Sequence, residues 1–168
     1  MEFFEVIQRR RSVRSLEKIK IPGEDILKIL EAGRLAPSGR NAQVWEFIVI
    51  DDENLIKELG KIQSFISDSS VVIGVIMNPE ESKFWIEDAS AAIENMLLTI
   101  TYLGYASCWV EGTLLKKEEW AKRLLGIPEE KRLITLLPIG KAKSEVEKPY
   151  KKPLSSIVHH NRYGQSYL

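Results

Sequence analysis

A chain of 168 residues, 44% hydrophobic and 29% charged, holds enough apolar material for one packed domain and is too apolar to live as a disordered coil. Its 24 Lys plus Arg balance 24 Asp plus Glu, so no global field draws it to nucleic acid or membrane and any anion site must be local. One cysteine, Cys108, excludes an intrachain disulfide and fits a reducing compartment.

Phe3, Phe4, Val6 and Ile7 fall on one helical stripe, and Pro22-Gly23-Glu24-Asp25 opens a second helix in which Ile26, Ile29 and Leu30 recur. Trp45–Ile50 is short, β-branched and aromatic; it ends at Asp51-Asp52, a strand followed by the N-cap of a helix over about 53–60. Ser70–Met77 is apolar on both faces and reads as a central strand covered by helices on two sides. Ile86, Ala89, Ile93, Met96, Leu97, Ile100 and Leu103 define the core helix, with Gly104 as its stop. Ala106–Glu111 returns as a strand, giving a right-handed crossover unit. A helix over 116–125 and a last strand over 133–140 follow, with Pro138, which lacks a donor, expected near an edge or an end. Residues 141–168 hold little core material and read as an arm that packs on something else, such as a partner subunit.

Three segments bear on chemistry. Arg9-Arg10-Arg11-Ser12-Val13-Arg14 gathers four cations just after the first helix, where the helix dipole itself favours positive charge. In extended backbone, however, Arg10, Ser12 and Arg14 share one side with Val13 opposite, a row able to grip a phosphate. Ala36–Gln43 is either a polar connection or a ligand loop, since eight residues exceed what a helix-to-strand turn needs. Cys108–Gly112 closes a strand, the place where ligands of α/β sheets tend to sit. Cys108 has no neighbouring base and reads as an inert core thiol, and neither His159 nor His160 has partners at metal-ligand spacing. No Gly-rich dinucleotide fingerprint, Walker loop or serine-hydrolase elbow is present.

Arg-Arg-Ser-Val-Arg, Ala-Pro-Ser-Gly-Arg-Asn-Ala-Gln, Cys-Trp-Val-Glu-Gly, Leu-Gly-Ile-Pro-Glu and Lys-Lys-Pro-Leu-Ser-Ser-Ile-Val, taken in order, resemble the FMN-dependent nitroreductase family over nearly the whole chain. The resemblance implies that Arg10 and Ser12 hold the FMN phosphate and ribityl chain, that Arg14 reaches the N1 and O2 edge of the ring, and that Arg11 contributes chiefly backbone. It implies that Pro37, Ser38, Gly39 and Asn41 come from the other subunit, that the main chain of Glu111 and Gly112 faces N5 and O4, and that Lys151 and Lys152 complete the phosphate site. Larger members place an Asn and a Lys before the central strand; here Gln63 stands as the amide.

The expectation is an α+β fold over residues 1–168: a three-layer α-β-α sandwich with a central mixed sheet of four or five strands, helices on both faces and an intertwined homodimer carrying FMN at its interface. About 141–168 would form the arm that packs on the partner. The expected function is transfer of hydride from NADH or NADPH through FMN to a nitroaromatic or quinone acceptor in ping-pong order, with no catalytic side chain and no metal. A non-catalytic FMN-binding or flavin-sensing protein is the alternative, and a nucleic-acid module using Arg9–Arg14 is a further rival. With no apolar run of about 18 residues and acids inside its apolar start, the chain is expected in the cytoplasm, without nucleic-acid or membrane partners.

Overall fold

Every residue of Val71–Met77 is buried, and the rest of the molecule is arranged around that strand. The computed structural model describes residues 1–168, in which α1 (Phe3–Arg9), β1 (Leu16–Glu17), α2 (Gly23–Arg34), β2 (Trp45–Ile50) and α3 (Glu53–Leu59) precede β3, Val71–Met77. The core helix α4 (Trp85–Tyr102) leads to β4 (Ala106–Ser107), α5 (Gly112–Leu115), α6 (Glu118–Leu125) and β5 (Arg132–Ala142). The α3 start is fixed as its sequence requires, because the Asp52 carboxylate accepts from the N–H groups of Asn54 and Leu55.

The sheet has five strands, with β3 between β2 and β5, and β5 also pairing with β1 and β4. Side chains on β3 alternate strictly. Val71, Ile73, Val75 and Met77 pack with Ile93, Met96 and Ile100 of α4, whereas Val72 and Ile76 pack with Ile56, Leu59 and Leu114 on the other face. Helices therefore cover both faces, the three-layer α+β arrangement.

Every ladder between strands is antiparallel, where the sequence pointed to a mixed sheet; parallel pairing is confined to the bridge between Ser12 and Ser107. The reason lies in β5. Ile139 pairs with Val71 on one edge and Ser107 on the other, so β5 lies between β3 and β4, which run in the same direction without touching. The crossover through α4 thus exists, but skips a strand. The expected strand over 106–111 shortens to Ala106–Ser107 plus a bridge at Val110.

Pro138 sits in this central strand, not at an edge. Ile139 accepts from Ser70 N–H on the β3 side, and Leu136 exchanges bonds with Val110 on the other. Alternation then directs the missing Pro138 donor to where Cys108 and Trp109 interrupt the β4 ladder, so no bond is lost. Two further expectations change: Ile86 is exposed in the first turn of α4, and of the α1 stripe only Val6 is buried. Phe3 and Phe4 stack edge to face at 6.0 Å in the open. An apolar groove of about 440 Å³ runs between α1, α2 and α4, lined by Met1, Phe3, Val6, Leu35, Leu98 and Tyr102.

Candidate functional site

The basic segment divides by parity. Arg9 pairs with Glu5 one turn back at 2.7 Å. The Arg11 Nη1 donates to the carbonyls of Gln8 and Arg10 at 2.6 and 2.7 Å, closing the C-terminus of α1. These two serve the helix end. The chain beyond them does something else: Val13 is buried and its N–H donates to the Ser107 carbonyl, which lays the segment up to Arg14 along β4.

Cys108, 2% exposed, shows where the other side of that stretch lies. Burial pushes its thiol pKa up, while the charge of Arg14, the Ser12 hydroxyl and the charge of Arg10 pull it partly back. Raised on balance and without a base, the thiol is a poor nucleophile. Arg10 has one loose carboxylate partner, Glu94 at 3.5 Å. Arg14 has no ion pair at all.

The other candidates join this cluster unequally. Gln63 Nε2 donates to Thr113 Oγ1 at 2.7 Å, tying the loop before β3 to the turn at Glu111-Gly112. Glu111 accepts from Trp109 Nε1 at 2.9 Å, and Val110 is fixed by its two bonds to Leu136, so the chain around Glu111 is held from both sides. Gly112 is exposed at the start of α5. Lys151 and Lys152 are exposed on the arm and form no ion pair.

The loop holding Pro37, Ser38, Gly39 and Asn41 packs elsewhere, against the N-terminal end of α4. Gly39 N–H donates to Asp88 Oδ1 at 2.8 Å, and Ser38 Oγ accepts from Gln43 N–H at 3.1 Å. Arg40, Asn41 and Gln43 all have left-handed backbone, with φ of 55°, 57° and 53°. That conformation costs a non-glycine residue about 1–2 kcal/mol. No hydrogen bond or ion pair joins this loop to Arg10, Ser12 or Arg14 of the same chain.

The model of the nitroreductase family matches residues 7–64 and 61–141. The chain belongs to that family. A relative from Archaeoglobus fulgidus, provisionally named NADH dehydrogenase/NAD(P)H nitroreductase, is 37% identical over 153 residues, covering 86% of this chain and 87% of its own. The chain is also similar to iodotyrosine deiodinase 1 of Mus musculus, at 26% identity over 83% of this chain and 61% of that protein. Among solved structures, an FMN-dependent nitroreductase from Clostridium difficile superposes with a TM-score of 0.86 and 28% identity, over 95% of this chain and 99% of that one.

For this nitroreductase-family chain, then, the fold sets Arg10, Ser12 and Arg14 along the extended segment beside β4, places Gln63 next to the Glu111-Gly112 turn, and leaves the 37–41 loop apart. Sequence reasoning missed Thr113, Ser82 and Asp88, which hold those parts in place. An acid in the first turn of a helix reads as an ordinary dipole partner, so Asp88 gave no signal of its own.

Proposed function

We propose that this chain is a cytoplasmic FMN-dependent oxidoreductase. It would work as an intertwined homodimer that passes hydride from NADH or NADPH to a nitroaromatic or quinone acceptor in ping-pong order. The observation that carries the reading is the extended segment bridged to β4 at Ser12 and Ser107, whose buried Val13 leaves Arg10, Ser12 and Arg14 on the opposite side, with Arg14 in no ion pair. The family membership and the similarity to an FMN-dependent nitroreductase support it.

The donor set suits a phosphate-bearing flavin. Two guanidiniums and a hydroxyl on one side supply charge-assisted donors for a dianion, and Lys151 and Lys152 on the arm would add two point charges. In this reading Arg10, Arg11 through its main chain, and Ser12 hold the phosphate and ribityl chain. The main chain at Glu111 and Gly112 and the amide of Gln63 line the ring edge. Pro37, Ser38, Gly39 and Asn41 come from the second copy, which fits their separation from the cation row within one chain.

When bound, FMN would supply the two-electron chemistry, and no protein general acid is required. The chain supplies orientation and field. Arg14 would stabilise negative charge at the N1 edge of the reduced ring more strongly in a dry interface than in water. The arm explains itself on the same terms, because its apolar side chains find no cover on the body: Tyr150 is 84% and Tyr163 92% exposed. We read residues 1–168 as one domain whose 141–168 arm packs on the partner. No helix is long and apolar enough to cross a membrane.

The test is anaerobic mixing of purified protein with NADH or NADPH. Prompt bleaching of a bound yellow chromophore, and recovery on adding a nitroaromatic or quinone, is the expected result. Yellow protein that no nicotinamide bleaches would make it a flavin binder only. Colourless protein that takes up no added FMN would remove the flavin reading altogether.

A further inference from the structure

Asp88 is an acid with 3% of its surface exposed, and nothing in the proposed chemistry uses it. A buried carboxylate is costly unless its oxygens are satisfied by donors. Here the donors are specific. Oδ1 accepts from Gly39 N–H at 2.8 Å, and Oδ2 accepts from Ser82 Oγ at 3.5 Å. Ser82 Oγ in turn accepts from Phe84 N–H at 3.1 Å, which sets the turn that presents the Phe84 ring.

That ring lies directly on Gly39: a Cβ there would fall 2.2 Å from Phe84 Cδ2 and 2.7 Å from Cγ. The 38–43 loop is thus clamped from two directions, by the carboxylate on its amide and by the aromatic ring on its backbone. Just beyond the clamp, Arg40, Asn41 and Gln43 hold the left-handed backbone described above. Such strain persists only where surrounding structure over-determines it, and it is characteristic of ligand clamps.

We propose that Asp88 is a positioning residue for the flavin site of the other copy: it locks the 38–43 loop in the conformation in which Ser38, Gly39 and Asn41 are presented across the interface. The proposal rests on the flavin reading above. Asp88 touches neither cofactor nor substrate; it acts through Gly39. The hydrogen bond, more than the charge, is what positions the loop, so Asn, which can also accept from Gly39 N–H, should serve where Ala cannot.

Flavin affinity of the dimer, measured by FMN fluorescence quenching, reads the effect. Asp88→Ala is expected to weaken FMN binding by about 10- to 100-fold, the scale of a lost hydrogen bond to a charged group, while Asp88→Asn stays within about threefold of wild type, as for a retained neutral acceptor. Equal losses in the two variants overturn the hydrogen-bond account, and wild-type affinity in Asp88→Ala overturns the proposal.

A mixed dimer gives a readout that a merely structural role would not move. Pairing one Asp88→Ala copy with one Arg14→Ala copy leaves one site with both defects and the other with neither. One tightly bound flavin per mixed dimer is expected, although each homodimer binds weakly. Absence of that restored site overturns the proposal. Should Asp88→Ala fail to fold, Asp88→Ser, whose shorter side chain keeps a polar group but falls short of the Gly39 amide, enters the same mixed-dimer experiment. If wild-type protein binds no FMN, the flavin reading itself fails, an outcome distinct from wild-type binding with no effect of Asp88.

Discussion

The strand β3 and the arm after Ala142 are opposites in how they are held. Each β3 residue is buried, with side chains alternating into two cores. In the arm, Tyr150, Leu154, Ile157, Tyr163, Tyr167 and Leu168 are all exposed, and the local structure comes from its own short contacts, such as His159 against Tyr163 at 4.5 Å. With Val146, seven exposed large apolar side chains stand on these 26 residues. The difference teaches that β3 is satisfied within one copy, whereas the arm's apolar side chains are left uncovered by it, which is what the proposed packing on a partner would remedy.

That contrast can be broken by paired substitutions. Ile73→Ala removes a side chain that is fully buried between β3 and α4 and should lower unfolding free energy by about 2–5 kcal/mol. Urea denaturation of flavin-free protein measures this, and a loss under about 1 kcal/mol would mean the site collapses to fill the cavity. Tyr163→Ala together with Tyr150→Ala should leave the denaturation of the dissociated copy, measured at protein concentrations below the dimer constant, within about 0.5 kcal/mol, as for surface changes generally. The double variant should instead weaken dimer association by at least about tenfold, or about 1.4 kcal/mol. Sedimentation of the double variant at wild-type affinity would mean that the arm is free in solution.

The same contrast explains how much could be read in advance. β3 and α4 were legible because burial on both faces writes a continuous apolar run and a wide helical stripe. Ile86 misled because its apolar side chain continues that stripe into a first turn that the sheet does not reach. Pro138 misled because sequence shows its missing donor but not the interruption at Cys108 and Trp109 that absorbs it. In the basic segment the two readings fall on different residues: Arg11 closes α1, while Arg10, Ser12 and Arg14 lie opposite the buried Val13 on extended backbone. Asp88 and Gly39 are 49 positions apart, and no local pattern announces a contact made only by the fold.

The arginine row offers a sharper test of the body as a scaffold for charge. Arg14 has no carboxylate to neutralise it, so Arg14→Ala should make bound FMN harder to reduce. A loss of about 1.4 kcal/mol of stabilisation in the reduced state corresponds to a potential lower by about 30 mV for two electrons. Arg14→Lys keeps the charge without the fork geometry and should recover part of the shift. Spectroelectrochemical titration decides, and an unchanged potential removes Arg14 from the ring edge. Since Arg14 also pulls on the Cys108 thiol, the Ala variant should react more slowly still with a thiol reagent at alkaline pH.

The smallest effect belongs to a staple within the body. Tyr105, at the entry to β4, donates to Asp25 Oδ2 in α2 at 2.7 Å, and Asp25 also accepts from Lys28 at 2.8 Å. Burial first, then the bond and charge of Asp25, push the Tyr105 pKa from 10.0 up to about 12. A raised folded pKa means that the phenol stabilises the fold fully below its ordinary value and loses that contribution as pH climbs from 10.0 to about 12. Tyr105→Phe should therefore cost about 0.5–1.5 kcal/mol at neutral pH, and its deficit should shrink through that alkaline window. At the acid end the sign reverses. Asp25 is held below its usual range by Lys28 first and Tyr105 second, so its contribution is present at neutral pH and lost as pH falls through the carboxylate range. Because Lys28 is the larger cause, Lys28→Ala should remove more of the acid slope than Tyr105→Phe does. Denaturation midpoints across pH separate the two, and a Tyr105→Phe deficit that stays constant on the alkaline side would show that the pair is not what ties β4 to α2.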